Sequence, residues 1–365
     1  MLLDPLVIVR AVHFAACTAA IGTLVLALLI RTAGRGVPTV SAAISRRLRD
    51  LGLGALTVVV GSGALWLALI ASNILDVPLV EVFDNVGLAA VAMDTYFGRV
   101  ACLRLGLAVE AGGLLLWQGL GWPALGAVTL LVATIALTGH AGAGTGATGL
   151  IHMFVDVVHL VTAGAWLGAL PALAWLLWRS RAEPVWGPLA ADVTRRFGRL
   201  ALIAVAALLV SGIANTAILV GWPAAAFPTT YARTLTLKVA LFAAMLVLAA
   251  FNRFRLTPGL PRSGALSALA GTVLAETVLG LGILLLVGLL GTQPPAAHVH
   301  TPAIESRDLP PVSRSAVAGS DVTLAIENRR IQSEGVACRI AIEQRGAHSR
   351  LIDTVVLAQC SNDCW

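Results

Sequence analysis

The chain has 365 residues, of which 58% are hydrophobic and 12% charged, with a formal net charge of +6 and a mean hydropathy of +0.88. Soluble domains carry about 25% charged residues, so a soluble globular fold is excluded and the chain reads as an all-α polytopic membrane protein. Its basic balance does not point to nucleic acid, because in a membrane protein the placement of Lys and Arg mainly records orientation.

Crossing the hydrocarbon layer takes about 20 mostly apolar residues. Such runs cover approximately 5–30, 51–74, 98–120, 123–140, 150–178, 199–221, 231–251 and 267–291, which predicts a bundle of about eight transmembrane helices over residues 1–291. The first run is longer than a signal-peptide core and lacks a basic segment before it. Arg31 and Arg35 follow it, so it reads as a retained anchor.

Loop charges orient the bundle. Arg31, Arg35, Arg46, Arg47 and Arg49 follow the first run, Arg179, Arg181, Arg195, Arg196 and Arg199 follow the fifth, and Arg253, Arg255 and Arg262 follow the seventh. These loops are expected on the cytoplasmic side. The second loop is acidic, with Asp76, Glu81, Asp84 and Asp94, and both termini are then expected outside.

Ionisable residues within apolar runs are costly, and each is a candidate for function. On a helix, His152, Asp156 and His159 fall at i, i+4 and i+7, which is one face. His140 closes the preceding run, and the glycine-rich turn after it is expected to bring it toward His152. His13, Arg10, Arg104 and Lys238 belong to the same predicted end, so a polar site opening outward is expected. Met153, beside His152, adds a soft donor. A lone intramembrane histidine equally fits a packing role, and Arg10 and Arg104 equally fit snorkelling. Glu110 and Glu276 are candidates for pairing helices, for an ion pair with Lys238, or for a path through the bundle. Gly164 and Gly168 form a GxxxG face that suits close helix packing.

Beyond residue 291 the composition changes. His298 and His300 alternate on a proline-containing exit, and short alternating runs such as DVTLAIE and CRIAIE predict strands in a tail over 292–365. Three of the five cysteines, Cys338, Cys360 and Cys364, lie in this tail.

The sequence Asp156-Val-Val-His159 followed by Ala165-Trp166-Leu167-Gly168 resembles the central helix signature of the copper resistance protein D (CopD) family of bacterial inner-membrane proteins. Gly139-His140-Ala141, Arg196-Phe197, Ser211-Gly212, Asn215, Tyr231 with Lys238, Asn252-Arg253, Pro258 and Glu276 resemble further family motifs in the same order. Ala232 stands where the family often has glycine. The resemblance covers about residues 1–300 and implies copper handling at the inner membrane, with passage of copper from the periplasmic side.

Imidazole suits copper, thioether sulfur suits Cu(I), and a carboxylate can orient a ligating ring. His140, His152 and His159 are the first-choice ligands, with His13 next, Met153 as a soft donor and Asp156 behind the ligands. A periplasmic copper-binding protein is the expected partner beside the lipid bilayer. Two other functions fit the same residues. One is a b-type cytochrome binding a single outer haem, since haem iron takes two imidazoles from facing helices. The other is a non-transporting protein that holds copper for assembly or sensing. No enzyme is expected. No GxxxxGK[ST] loop occurs, so direct ATP drive is not expected.

Overall fold

The computed structural model describes residues 4–34, 38–83, 87–139, 146–220, 230–260 and 262–293, together with four strands of the tail. The chain divides into two units, residues 1–300 and 301–365.

The first unit is helical. It runs α1 (Pro5–Ala33), α2 (Pro38–Leu75), the short α3 (Leu79–Val82) and α4 (Gly87–Asp94), α5 (Tyr96–Trp117), α6 (Trp122–Leu137), α7 (Gly146–Leu167), α8 (Leu170–Ala182), α9 (Gly187–Val220), α10 (Thr230–Phe251) and α11 (Ser263–Leu290). Seven segments, with α7 and α8 forming one of them, are long and apolar enough to cross a membrane. The eighth expected crossing is α6, apolar but only 16 residues long.

Local chemistry sets the helix starts. Asp4 accepts the Leu6 amide at 2.8 Å with Pro5 in the first helical position, where proline costs no intrahelical bond. Thr95 Oγ1 accepts the Gly98 amide at 2.9 Å and caps α5. Helices α2 and α9 begin about three turns before the apolar runs predicted for them. Their first turns carry the arginines, yet bury Ile44 and Leu48 in α2 and Leu189, Val193 and Phe197 in α9. Hydropathy marks the part of a helix in lipid, whereas the helix itself continues as far as one face finds a core.

The bundle has two ends. At one, α1, α5, α7 and α10 begin. At the other lie the last turns of α1, α8 and α10 and the first turns of α2 and α9, with Arg31, Arg46, Arg47, Arg179, Arg181, Arg195 and Arg196. We call these the site end and the basic end.

The two halves repeat one another, which the apolar pattern alone does not reveal. Val12-His13 recurs as Val158-His159 and Gly22 as Gly168. Arg46-Arg47 recurs as Arg195-Arg196, Ser62-Gly63 as Ser211-Gly212, Thr95-Tyr96 as Thr230-Tyr231, and Leu103-Arg104 as Leu237-Lys238. Packing follows the repeat. Helix α1 packs on α2 as α7 packs on α9, α5 on α6 as α10 on α11, and α6 meets α7 as α11 meets α1.

The halves join where α1 crosses α7. A Cβ added at Gly22 would overlap the backbone of Gly168 and Ala169, and one added at Gly168 would overlap the Thr18 carbonyl. Small residues allow this approach. Just beyond the crossing the helix is interrupted, and α8 restarts at Leu170 with Pro171 in its first turn. Proline there lacks the N–H that would continue the ladder of α7.

The second unit contains an antiparallel sheet in the order β1 (Arg314–Gly319), β2 (Val322–Ile331), β3 (Gly335–Gln344) and β4 (Ala358–Cys360). Strands β2 and β3 contain the two alternating runs singled out in the sequence, paired from Val322 opposite Gln344 to Ile331 opposite Gly335.

Two outcomes follow from this architecture. Gly22→Val should destabilise the protein by about 1 to 3 kcal/mol or more, the usual cost of overpacking, read as a lowered thermal midpoint, because the opposing group is backbone. With native cysteines replaced, cysteine at Met93, exposed in the last turn of α4 near the site end, should react with an impermeant reagent in intact cells. Cysteine at Ala182, at the basic end, should be protected.

Candidate functional site

Helix α7 carries the expected polar face. His152 is buried, and Asp156 and His159 are half-buried. Both of the latter face α9. Asp156 Oδ1 accepts a hydrogen bond from Asn215 Nδ2 at 3.1 Å, and His159 Nδ1 lies 3.0 Å from Ser211 Oγ. His152 and Lys238 are the basic groups acting on the Asp156 carboxylate, and Lys238 also acts on His159. The His159 ring lies beside Gly212 of α9, where an added Cβ would be in ordinary contact with it, 3.5 Å from Cε1.

The serine decides the state of the ring. A hydroxyl has one proton to donate, and Ser211 Oγ gives it to the Ala207 carbonyl at 2.6 Å. Its bond to His159 must therefore be accepted from Nδ1–H. That leaves Nε2 of the neutral imidazole with its lone pair free. Metal-binding histidines are oriented in this way, by a partner on the other ring nitrogen.

The same unit occurs in the first half. His13 Nδ1 lies 3.0 Å from Ser62 Oγ, which donates to the Val58 carbonyl at 2.5 Å. His13 is fully buried, and its Nε2 has no partner among the described residues. Around the ring the chemistry is reversed. Arg10 stands where Asp156 stands relative to the second histidine, Trp66 replaces Asn215, and Arg104 replaces Lys238. Trp66 contacts the His13 ring with centroids 5.6 Å apart. The Arg10 and Arg104 guanidinium carbons lie 5.1 and 5.5 Å from the Trp66 ring centroid.

The expected ligands His13, His152 and His159 are thus divided between two halves. His13 belongs to the arginine-bearing unit, while His152, Asp156 and His159 share the other. His140, His298 and His300 lie outside the described residues. Among the described residues no three His, Cys, Asp or Glu side chains are grouped so as to hold a metal ion. Met153 is half-buried next to His152.

The two glutamates part company. Glu110 is exposed on α5 with no hydrogen bond or ion pair among the described residues. Glu276 is buried and accepts from Asn252 Nδ2 at 2.5 Å, while Thr272 Oγ1 donates to Asn252 Oδ1 at 2.5 Å. It lines a cavity of about 180 Å³ with Trp166, Thr194, Asn252 and Arg253. Neither glutamate pairs with Lys238. Arg104 donates from Nε to Thr134 Oγ1 at 3.0 Å, and from Nη2 to the Thr134 carbonyl at 2.9 Å and Thr138 Oγ1 at 2.8 Å, which anchors α5 to α6.

Residues 1–150 match the family model "Copper resistance protein D-like, N-terminal domain", and residues 191–290 match "Copper resistance protein D". Copper resistance protein D of Pseudomonas syringae pv. tomato is 31% identical over 214 residues, covering 56% of this chain and 67% of that protein. This chain belongs to the copper resistance protein D family. Inner membrane protein YebZ of Escherichia coli is 28% identical over 211 residues, 52% of this chain and 70% of that protein. Copper transport protein CutJ of Bacillus subtilis is 33% identical over 177 residues, 47% of this chain and 31% of that protein. No solved structure matches. The two family matches each cover one bearer of the repeated serine, Ser62 in the first and Ser211 in the second.

Sequence reasoning singled out both histidines but not the serines and Trp66 as their partners. The signal was the Ser-Gly pair, repeated at equivalent distances after each histidine. Replacing Ser211 with Ala should release the ring tautomer. In ¹⁵N spectra of the labelled protein, His159 should change from an Nδ1–H form to a mixture, with the helical fold retained.

Proposed function

We propose that this chain handles copper at the bacterial inner membrane, receiving it at the site end and passing it across the bilayer. One observation carries the proposal. The Ser211 relay leaves His159 Nε2 as a lone pair on the face of α7 that also bears His152 and the Asp156 carboxylate. Imidazole nitrogen suits copper, and an adjacent carboxylate favours a cation and orients a ligating ring. The names of the relatives from Pseudomonas and Bacillus refer to copper resistance and copper transport, and that of the Escherichia relative to the inner membrane.

His152 and His159 are the ligands of this reading, with His140 completing the set and Asp156 standing behind it. Met153 is the soft donor at hand. His13, flanked by two guanidinium groups, is set aside as a cation ligand. The arginine-rich end is assigned to the cytoplasm because positive loops stay inside, so the site opens to the periplasm, where a copper-binding protein would deliver its cargo. Glu276 and its cavity, on the basic side of α7 beyond Trp166, mark the onward path.

The unprotonated Nε2 atoms of His13 and His159 would also suit haem iron, so the purified protein's spectrum is the first check. No Soret band is expected, and a Soret band lost in His159→Ala would favour the haem reading. In competition titrations with a Cu(I) chelator, His152→Ala and His159→Ala should weaken binding more than Asp156→Asn. Substitutions behind the ligands typically cost about 10 to 100-fold, and Asp156→Asn should fall in that range. Wild-type binding by His159→Ala would overturn the assignment. Copper uptake into proteoliposomes separates a carrier from a protein that only holds the ion, and uptake is the expected result.

A further inference from the structure

The copper reading leaves the arginine-bearing unit of the first half without a role. Arg10 and Arg104 both sit within apolar spans, and Arg104 is only 2% exposed. Neither makes an ion pair with a carboxylate among the described residues. Both guanidinium carbons lie over the same Trp66 ring, 5.1 and 5.5 Å from its centroid, and that residue is 4% exposed. Buried charges are ordinarily paired, because an unpaired one forfeits its solvation. In the second half the corresponding positions hold Asp156 and Lys238, one charge of each sign. The first half is left with two positive charges and no negative one.

The hydrogen bonds show where the missing charge belongs. Arg10 uses Nη1 on the Gly291 carbonyl at 2.7 Å, while its Nε is buried without a partner. Nη2 packs over Gly291, where an added Cβ would overlap it, so Nε is the donor that Arg10 has left to offer. Arg104 spends Nε and Nη2 on Thr134 and Thr138 and has Nη1 to spare. Trp66 Nε1 is likewise buried with no partner. Indole nitrogen can only donate. Guanidinium and indole N–H donors coming from separate side chains fit an oxyanion better than a halide, because an oxyanion offers several acceptors at separate angles.

We infer that Arg10, Trp66 and Arg104 form a binding site for a phosphate group at the site end of the first half. The inference goes beyond copper handling and does not rest on it. Arg10 is bonded to the last turn of α11 and Arg104 to the last turn of α6, so the site lies near the membrane surface. There a phospholipid headgroup and free phosphate present the same chemistry.

The test uses the full chain in copper-free nanodiscs of phosphate-free glycolipid, titrated calorimetrically with inorganic phosphate. One saturable site is expected. Arg10→Gln and Trp66→Phe should weaken it by about tenfold or more, as loss of a charge-assisted hydrogen bond would, and Asp156→Asn should leave it unchanged. Trp66→Phe keeps the aromatic packing, so the result does not hang on the arginine variant folding. In discs of phosphatidylglycerol, a headgroup in the site would abolish binding of free phosphate. Native mass spectra would then show one phospholipid retained by the wild type and lost by Arg10→Gln. Unchanged titration in the two lipids would identify free phosphate as the ligand. Absence of saturable binding in glycolipid, or binding indifferent to both variants, overturns the inference. Since no copper is present, failure of the copper reading would not alter these outcomes.

Discussion

A serine hydroxyl on a helix has one proton, and the carbonyl one turn back claims it. The chemistry of this bundle rests on that constraint. Because Ser62 and Ser211 spend their protons on Val58 and Ala207, each can only accept from its histidine. Each imidazole is thereby fixed as the Nδ1–H tautomer without a charged partner. A carboxylate in place of the serine would add a negative charge inside the bilayer. The serine orients the ring while keeping the pair neutral, which suits a site sunk between apolar helices.

Duplication then allows one frame to host two kinds of chemistry. The His-Ser unit, the glycine beside it and the crossing of α1 with α7 are common to both halves, whereas the charged side chains around them differ in sign. Gly22 and Gly168 put the two histidine helices in backbone contact, so the halves cannot shift independently at that point.

The bundle was legible in the sequence because lipid imposes an apolar period that hydropathy reads directly. The strands of the tail were legible for a similar reason, in DVTLAIE and CRIAIE. Helix starts were less so: Pro38 and Gly187 precede the lipid-embedded residues by several turns, where the helix is held by a core of Ile44, Leu48, Val193 and Phe197 rather than by lipid. Of the site, the α7 face could be read from the spacing of His152, Asp156 and His159. The assignment of His13 to a separate unit could not, because spacing along one helix says nothing of which neighbouring helix a ring meets. Glu110 likewise looked like a path residue from its position in a span, but a helix has an outward side, and its exposure on α5 is set by packing between α5 and its neighbours.

The shortness of α6 acts on the lipid as well as on the protein. Sixteen residues rise about 24 Å, against a hydrocarbon core of about 30 Å. Its two ends are gripped by guanidinium groups, Arg31 on the Leu120 carbonyl and Arg104 on Thr134 and Thr138. A helix pinned at both ends cannot meet the mismatch by sliding, which leaves local thinning of the bilayer, snorkelling of flanking residues or oligomerisation to absorb it, and thinning would form a dimple beside α6. Since α6 flanks α7, the dimple lies next to the helix that carries Asp156 and His159. Such a dimple would bring headgroups and water closer to those side chains, so that any polar solute at the surface would face less hydrocarbon there than the nominal thickness of the membrane implies.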